Sequence, residues 1–174
     1  MTDRDMTDRD LSTLGAGGRL TLERFYGASV EDLWDLWTTK AGIESWWGPA
    51  GFTVEVHELD LRAGGGLLYT MTATAPEQVR FMQGAGMPLS TRTRITYTEV
   101  VEHERLAYET LADFIPGVEP YAMATLVELH PTPEGVRLLL SFDAMHEEQW
   151  TRRALAGHES ELEKLARVID ARGT

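Results

Sequence analysis

Six strand-like segments in a row, ending in one long amphipathic segment, constrain this chain more than any other feature. From Phe52 to Phe142 the segments FTVEVHELDL, LLYTMTA, TRTRITYTEVV, RLAYETLADF, YAMATLVELH and VRLLLSF carry strand patterning, and turn chemistry such as AGGG, EHE and PTPEG separates them. The segment that follows, HEEQWTRRALAGHESELEKLARVID, has Glu147 and Glu148 in its first turn. Its apolar stripe runs through Trp150, Ala154, His158, Leu162, Leu165 and Ile169, which marks a long helix.

The residues before this run add one strand and two short helices. RLTLERFY, Arg19 to Tyr26, reads as a first strand. In SVEDLWDLW, Ser29 can cap a helix, Asp32 completes a capping-box pattern, and Val30, Leu33, Trp34 and Trp37 recur at helical spacing. A second short helix fits Lys40 to Trp47, with Gly48-Pro49 ending it. The order implies an α+β domain: a mostly antiparallel sheet of about seven strands with helices on one face. Two connections, APEQVRFMQGAGMPL and DFIPGVEPY, are long and apolar for loops, and the first could hold a short helix after Pro76. Residues 1–18, with MTDRD repeated and then LSTLGAGG, are expected to form a flexible tail, which leaves 19–174 as a single domain.

Charge and composition exclude several classes. With 16 basic and 28 acidic residues the net charge is -12, which disfavours nucleic acid and anionic membrane as partners. No stretch reaches the roughly 18 apolar residues of a membrane helix, and the N-terminus is too polar for a signal peptide, so a cytoplasmic protein without membrane insertion is expected. Zero cysteines rule out disulfides and thiolate chemistry. MHEEQW begins like the zinc-protease helix motif, but Trp150 stands where the second histidine belongs, so no metal is expected. The glycines at 64–66 lead into a strand, as a hairpin turn does and a dinucleotide fingerprint does not.

The aromatic and methionine residues carry the functional signal. Alternation puts Tyr69 with Met71, Ile95 with Tyr97, Leu106 with Tyr108, Tyr121 with Met123, and Leu138 with Leu140 and Phe142 on single strand faces turned toward the helix. Such side chains either fill a core or line a cavity, and sequence alone leaves both open. His158 sits in the middle of the apolar stripe, with Glu161 one turn away near its edge. A core histidine bonded to backbone and a ligand-contacting or acid-base group are the two readings of that position.

A strand ending in Arg24-Phe25, then S-V-E-D-L-W, E-S-W-W-G-P-A-G-F, D-L-R-A-G-G and, in the last helix, G-H-E-S-E-L-E-K-L occur here in that order. Together they resemble the activator of heat-shock-protein-90 ATPase homologue-like family of the START/polyketide-cyclase-like (SRPBCC) superfamily, from about Leu20 to Ile169. The resemblance implies a helix-grip fold, in which a curved antiparallel sheet wraps the long helix around an apolar cavity. Superfamily relatives bind lipids, steroids or polyketides, and some cyclise or hydrolyse them. No catalytic set and no cofactor carries over. Many relatives have Trp where this chain has His158, which makes the cavity floor more polar here. The co-chaperone of the family title carries a separate chaperone-binding domain, so chaperone activation is not expected from residues 1–18.

The leading expectation is therefore a carrier or sensor of an apolar small molecule. Tyr69, Met71, Tyr97, Tyr108, Met123, Leu140, Phe142, His158 and Leu162 would touch it, with Trp37, Tyr121 and Trp150 around them. Phe81, Met87, Phe114 and Ile115 in the two apolar connections would gate it. A sheet-helix space below roughly 300 Å3, the lower end for ligand pockets, would overturn this reading. The alternatives are a cyclase or hydrolase using His158 with Tyr97 or Tyr108, and a protein-interaction or co-chaperone-like module in which apolar loops dock a partner or form a homodimer. Trp46 and Trp47, about 100° apart on a helix, are expected to divide between structure and cavity mouth.

Overall fold

Strands β1 (Arg19–Tyr26) and β2 (Phe52–Leu59) follow each other in the chain but occupy opposite edges of one sheet. The remaining strands are β3 (Gly66–Ala73), β4 (Ser90–Val101), β5 (Arg105–Ala112), β6 (Tyr121–Thr132) and β7 (Gly135–Asp143). The order across the seven-stranded sheet is β1-β7-β6-β5-β4-β3-β2. Every neighbouring pair is antiparallel. Strands β2 to β7 thus form a meander, and β1 closes the far edge by pairing with β7 from Arg19 opposite Asp143 to Tyr26 opposite Val136. The computed structural model describes residues 18–113, 115 and 117–172. Residues 1–17 of the expected tail and the expected gate residue Phe114 lie outside the described residues.

The crossing from β1 to β2 is made by two short helices, α1 (Val30–Thr38) and α2 (Lys40–Trp46), which touch β6 and β2 respectively. Helix α1 starts as its sequence requires, with the Ser29 hydroxyl accepting the Asp32 N–H at 3.1 Å. The joint between the helices is a single residue, Thr39, whose hydroxyl accepts the Gly42 N–H at 3.0 Å. A Cβ on Gly42 would lie 2.4 Å from the Asp35 carbonyl oxygen, so this tight corner needs glycine. Helix α3 (Pro76–Gly84), with proline in its first turn, occupies the first of the two long connections.

The last helix, α4 (Glu148–Arg172), spans 25 residues, about 38 Å at 1.5 Å per residue. It packs on α2 and β1. Its apolar stripe divides into two halves. Leu162, Leu165 and Ile169 are buried in the main core, whereas Trp150, Ala154 and His158 are only half-buried. Register shifts interrupt β2 between Val56 and Glu58 and β4 between Tyr97 and Glu99. Bulges of this kind bend a strand and raise its twist, which curves the sheet around the helix. The architecture is the α+β helix-grip arrangement expected from the sequence, with two short helices after the first strand. Among the described residues no helix is long and apolar enough to cross a membrane.

Candidate functional site

Trp46 is the last residue of α2 and Trp47 is its cap, with φ -60° and ψ 146°. That change from helical to extended backbone sends the two indoles to different surroundings. Trp46 is 1% exposed and donates its indole N–H to the Leu36 carbonyl at 2.7 Å, which ties α2 back onto α1. Trp47 lines a cavity under α4 and donates its indole N–H to the Tyr69 hydroxyl. The rings still touch, with centroids 5.2 Å apart, and Trp37 packs on both at 4.5 and 5.5 Å. Trp37 holds Trp47 in place from the core side, and among the described residues its own buried indole N–H has no hydrogen-bond partner.

Beyond Trp47 the chain turns through Gly48 at φ +85°, a left-handed conformation that strains any residue with a Cβ. A Cβ there would also come within 3.3 Å of the Met71 sulfur. This turn is fastened to one face of α4. The Ser160 hydroxyl accepts the Ala50 N–H at 2.8 Å, and the Glu161 carboxyl accepts the Gly48 N–H. Lys164 donates to the carbonyl of Gly48 at 2.9 Å and to those of Trp47 and Phe52 at 3.4 Å. The W-W-G-P-A-G and H-E-S-E-L-E-K stretches, over 100 residues apart, are two halves of one junction.

The cavity beside this junction has a volume of about 170 Å3. Trp47, Tyr69, Tyr108 and Phe142 supply its aromatic wall, and Ile95, Met123 and Ala154 its aliphatic one. Its polar groups are Thr110, Thr125, Asp143, His158 and Glu161. Trp47 stands edge to face with Tyr69 at 6.2 Å and tilted against Tyr108 at 6.0 Å. The His158 imidazole lies 4.4 Å from the Phe142 ring, and burial lowers its pKa to about 4, so it is neutral at neutral pH. Burial raises the Glu161 pKa to about 7, against the opposing pull of the Gly48 N–H and the Lys164 ammonium. Lys164 is itself pushed down by burial, with Glu161 acting against that. Tyr69 rises to about 12, chiefly through burial, and Tyr108 rises for the same reason, so both hydroxyls keep their protons. Asp143 is held by the Ala124 N–H at 2.9 Å.

Six of the residues singled out from sequence meet here: Trp47, Tyr69, Tyr108, Met123, Phe142 and His158. Others fall elsewhere. Trp46, Tyr97, Leu140 and Leu162 are packed in the core, and Trp37 backs the wall without lining it. Met71 lies under the Gly48 turn. Tyr121 and Trp150 belong to a smaller cluster with Ala112, Ile115 and Met145, where the Tyr121 hydroxyl and His146 Nδ1 are 2.8 Å apart. Two expected gate residues, Phe81 and Met87, are 57% and 41% exposed and do not line the cavity, because α3 buries Met82 instead. Ile115 is buried against Met145 and does not line it either. Sequence reasoning left Glu161 outside the site; its spacing of three from His158 was visible, but its contact with a turn 113 residues earlier was not. Thr110, Thr125 and Asp143 were missed because isolated polar residues on strands look like solvated ones.

The sequence profile of the family described as Activator of Hsp90 ATPase homolog 1-like protein matches residues 27–170. No curated protein matches the chain. Among solved structures, the crystal structure of protein Ms6760 from Mycobacterium smegmatis is 20% identical with a TM-score of 0.70, covering 98% of this chain and 99% of that one. A solution NMR structure of a protein from Arthrobacter aurescens is 19% identical with a TM-score of 0.72, covering 94% and 90%. The crystal structure of the AHSA1 protein from Silicibacter pomeroyi is 19% identical with a TM-score of 0.70, covering 89% and 99%. At such identities the likeness speaks for the fold, and the profile match over most of the chain speaks for descent. The chain belongs to the family of Activator of Hsp90 ATPase homolog 1-like proteins.

Proposed function

We propose that the protein binds a small, mostly apolar molecule in the cavity between sheet and α4, as a carrier or sensor. The observation that carries this is a space of about 170 Å3 at the margin of the packed core, walled by four aromatic side chains and by half-buried residues such as Met123, Ala154 and His158. A hollow there forgoes dispersion contacts that a filled core would have, a cost that binding would recover. The size narrows the ligand. At about 170 Å3 the volume falls below the roughly 300 Å3 required for the expected lipid, steroid or polyketide carrier, so that expectation fails at full ligand size; an engineered cavity of about 150 Å3 takes benzene, and the reading holds only for a ligand on that scale. A single ring or a short branched chain with one hydrogen-bonding group fits the side chains as they stand. A steroid or a lipid chain would need them to move.

A reaction with His158 as general base is less well served. A group whose pKa has fallen to about 4 is a weak base at neutral pH, and among the described residues no side chain hydrogen-bonds its ring, which packs on Phe142 instead. Native mass spectrometry of the purified protein tests the binding reading, with a co-purified or added ring-sized compound retained at one equivalent. Failure to retain any such compound, together with no change in tryptophan fluorescence on adding them, would reject it.

A further inference from the structure

The lining of the cavity is one-sided in charge. Among the described residues it contains two carboxylates, Asp143 and Glu161, and neither lysine nor arginine. Lys164, the cation nearest to Glu161, directs its ammonium at the carbonyls of Trp47, Gly48 and Phe52. Three carbonyls match the three hydrogens of an ammonium. The Glu161 carboxyl receives the Gly48 N–H, one bond for a group that can accept about four. Around it stand Tyr69 from β3, Tyr108 from β5 and Trp47 from the turn, with His158 on the same helix and Asp143 on β7. Aromatic faces present negative charge to a ligand and attract cations.

Resting on the ligand-binding reading above, we propose that the ligand is a small organic cation: a ring-sized molecule whose protonated or quaternary nitrogen pairs with Glu161 among the rings of Trp47, Tyr69 and Tyr108. A neutral alcohol could satisfy one carboxyl hydrogen bond and pack its ring on the wall, but gains no cation–π attraction from the ring faces. An anion is opposed by both carboxylates and by the overall charge of -12, which also concentrates cations near the surface. The neutral state of His158 removes the one lining group that could have repelled a cation.

Three probes of nearly equal size separate these cases: benzylammonium, benzyl alcohol and benzoate, titrated at pH 7.5 into the full-length protein and followed by NMR at the Gly48 amide and the Trp47 indole. The expected order is benzylammonium tightest, by about tenfold over benzyl alcohol, with benzoate weakest. Glu161→Gln, whose amide oxygen can still accept the Gly48 N–H, should shrink the gap between benzylammonium and benzyl alcohol to about twofold or less. Benzyl alcohol or benzoate binding as tightly as benzylammonium would overturn the cation assignment while leaving the cavity reading intact. A benzylammonium advantage that survives Glu161→Gln would overturn it as well, since general surface attraction would then explain it. If none of the three probes moves either signal, both readings fall.

Discussion

His158 and Glu161 stand one turn apart at the same cavity, and burial shifts them in opposite senses with opposite consequences for stability. Glu161 moves up from the ordinary carboxylate range to about 7, so the folded chain holds its proton more tightly than the unfolded chain; its contribution is present at low pH and lost as pH rises to about 7. His158 moves down to about 4, so its contribution is present above the ordinary histidine value near 6.5 and lost as pH falls through about 4. Between about pH 4.5 and 6.5 the two slopes oppose each other. Urea unfolding of the wild type and the two single variants at pH 5.0 and 6.5 reads this out. Relative to wild type, Glu161→Gln should gain stability from the lower to the higher pH and His158→Gln should lose it, each by on the order of 2 kcal/mol. Parallel pH profiles for all three proteins would remove the burial account. The tryptophans divide in the same residue-level way. Trp46→Ala should cost about 3 to 5 kcal/mol, since it opens the core and frees the Leu36 carbonyl, with ligand affinity lost only through unfolding. Trp47→Phe keeps most of the packing but removes the donor to Tyr69, so calorimetry of ligand binding should register it more strongly than thermal melting does. That Trp46 and Trp47 would part company was legible from their adjacency at a helix end. Which one lines the cavity was not, because it depends on the extended conformation of the cap.

At the level of elements, the junction between the Trp47–Phe52 turn and α4 explains why two distant motifs go together. Ser160, Glu161 and Lys164 lie within two turns of one helix and supply partners for Ala50 N–H, Gly48 N–H and three carbonyls of the turn. A turn buried against a helix must find such partners, since an unpaired backbone group there costs about 1 to 3 kcal/mol. Lys164→Met keeps the apolar stem and removes the donors, so it should cost about 1 to 3 kcal/mol in urea unfolding. Hydrogen exchange should quicken in the turn while the sheet stays protected. Uniform exchange throughout would mean that the turn does not open independently of the core. Sequence periodicity located all the elements involved, from the Ser29 cap to the stripe of α4. It could not show the junction, because hydrogen bonds from a helix to a glycine-rich turn leave no period in either segment.

The whole molecule is a sheet gripping a helix whose two halves are covered differently. Around Leu162, Leu165 and Ile169 the helix meets a filled core, and around Ala154 and His158 it passes over the cavity. Strand patterning and the order of elements made the grip legible, since an antiparallel meander with one long amphipathic helix has few other ways to bury its faces. Whether the space inside was filled stayed illegible, because the same Tyr, Met and Phe residues serve both cases and the difference rests on a few side-chain volumes. Ala154 decides it experimentally. It lies on α4 at the cavity wall and is half-buried, so Ala154→Leu adds three carbon atoms at that wall while leaving Glu161, His158 and the turn residues unchanged in sequence. If the cavity is a binding site, this variant should keep or raise its melting temperature, as filling a void adds dispersion contacts, and should lose ring-sized ligands by tenfold or more, on the order of 1.4 kcal/mol. The opposite pattern, a marked loss of stability with ligand affinity unchanged, would mean that the space is already taken up by side-chain motion and that ligands bind elsewhere on the molecule.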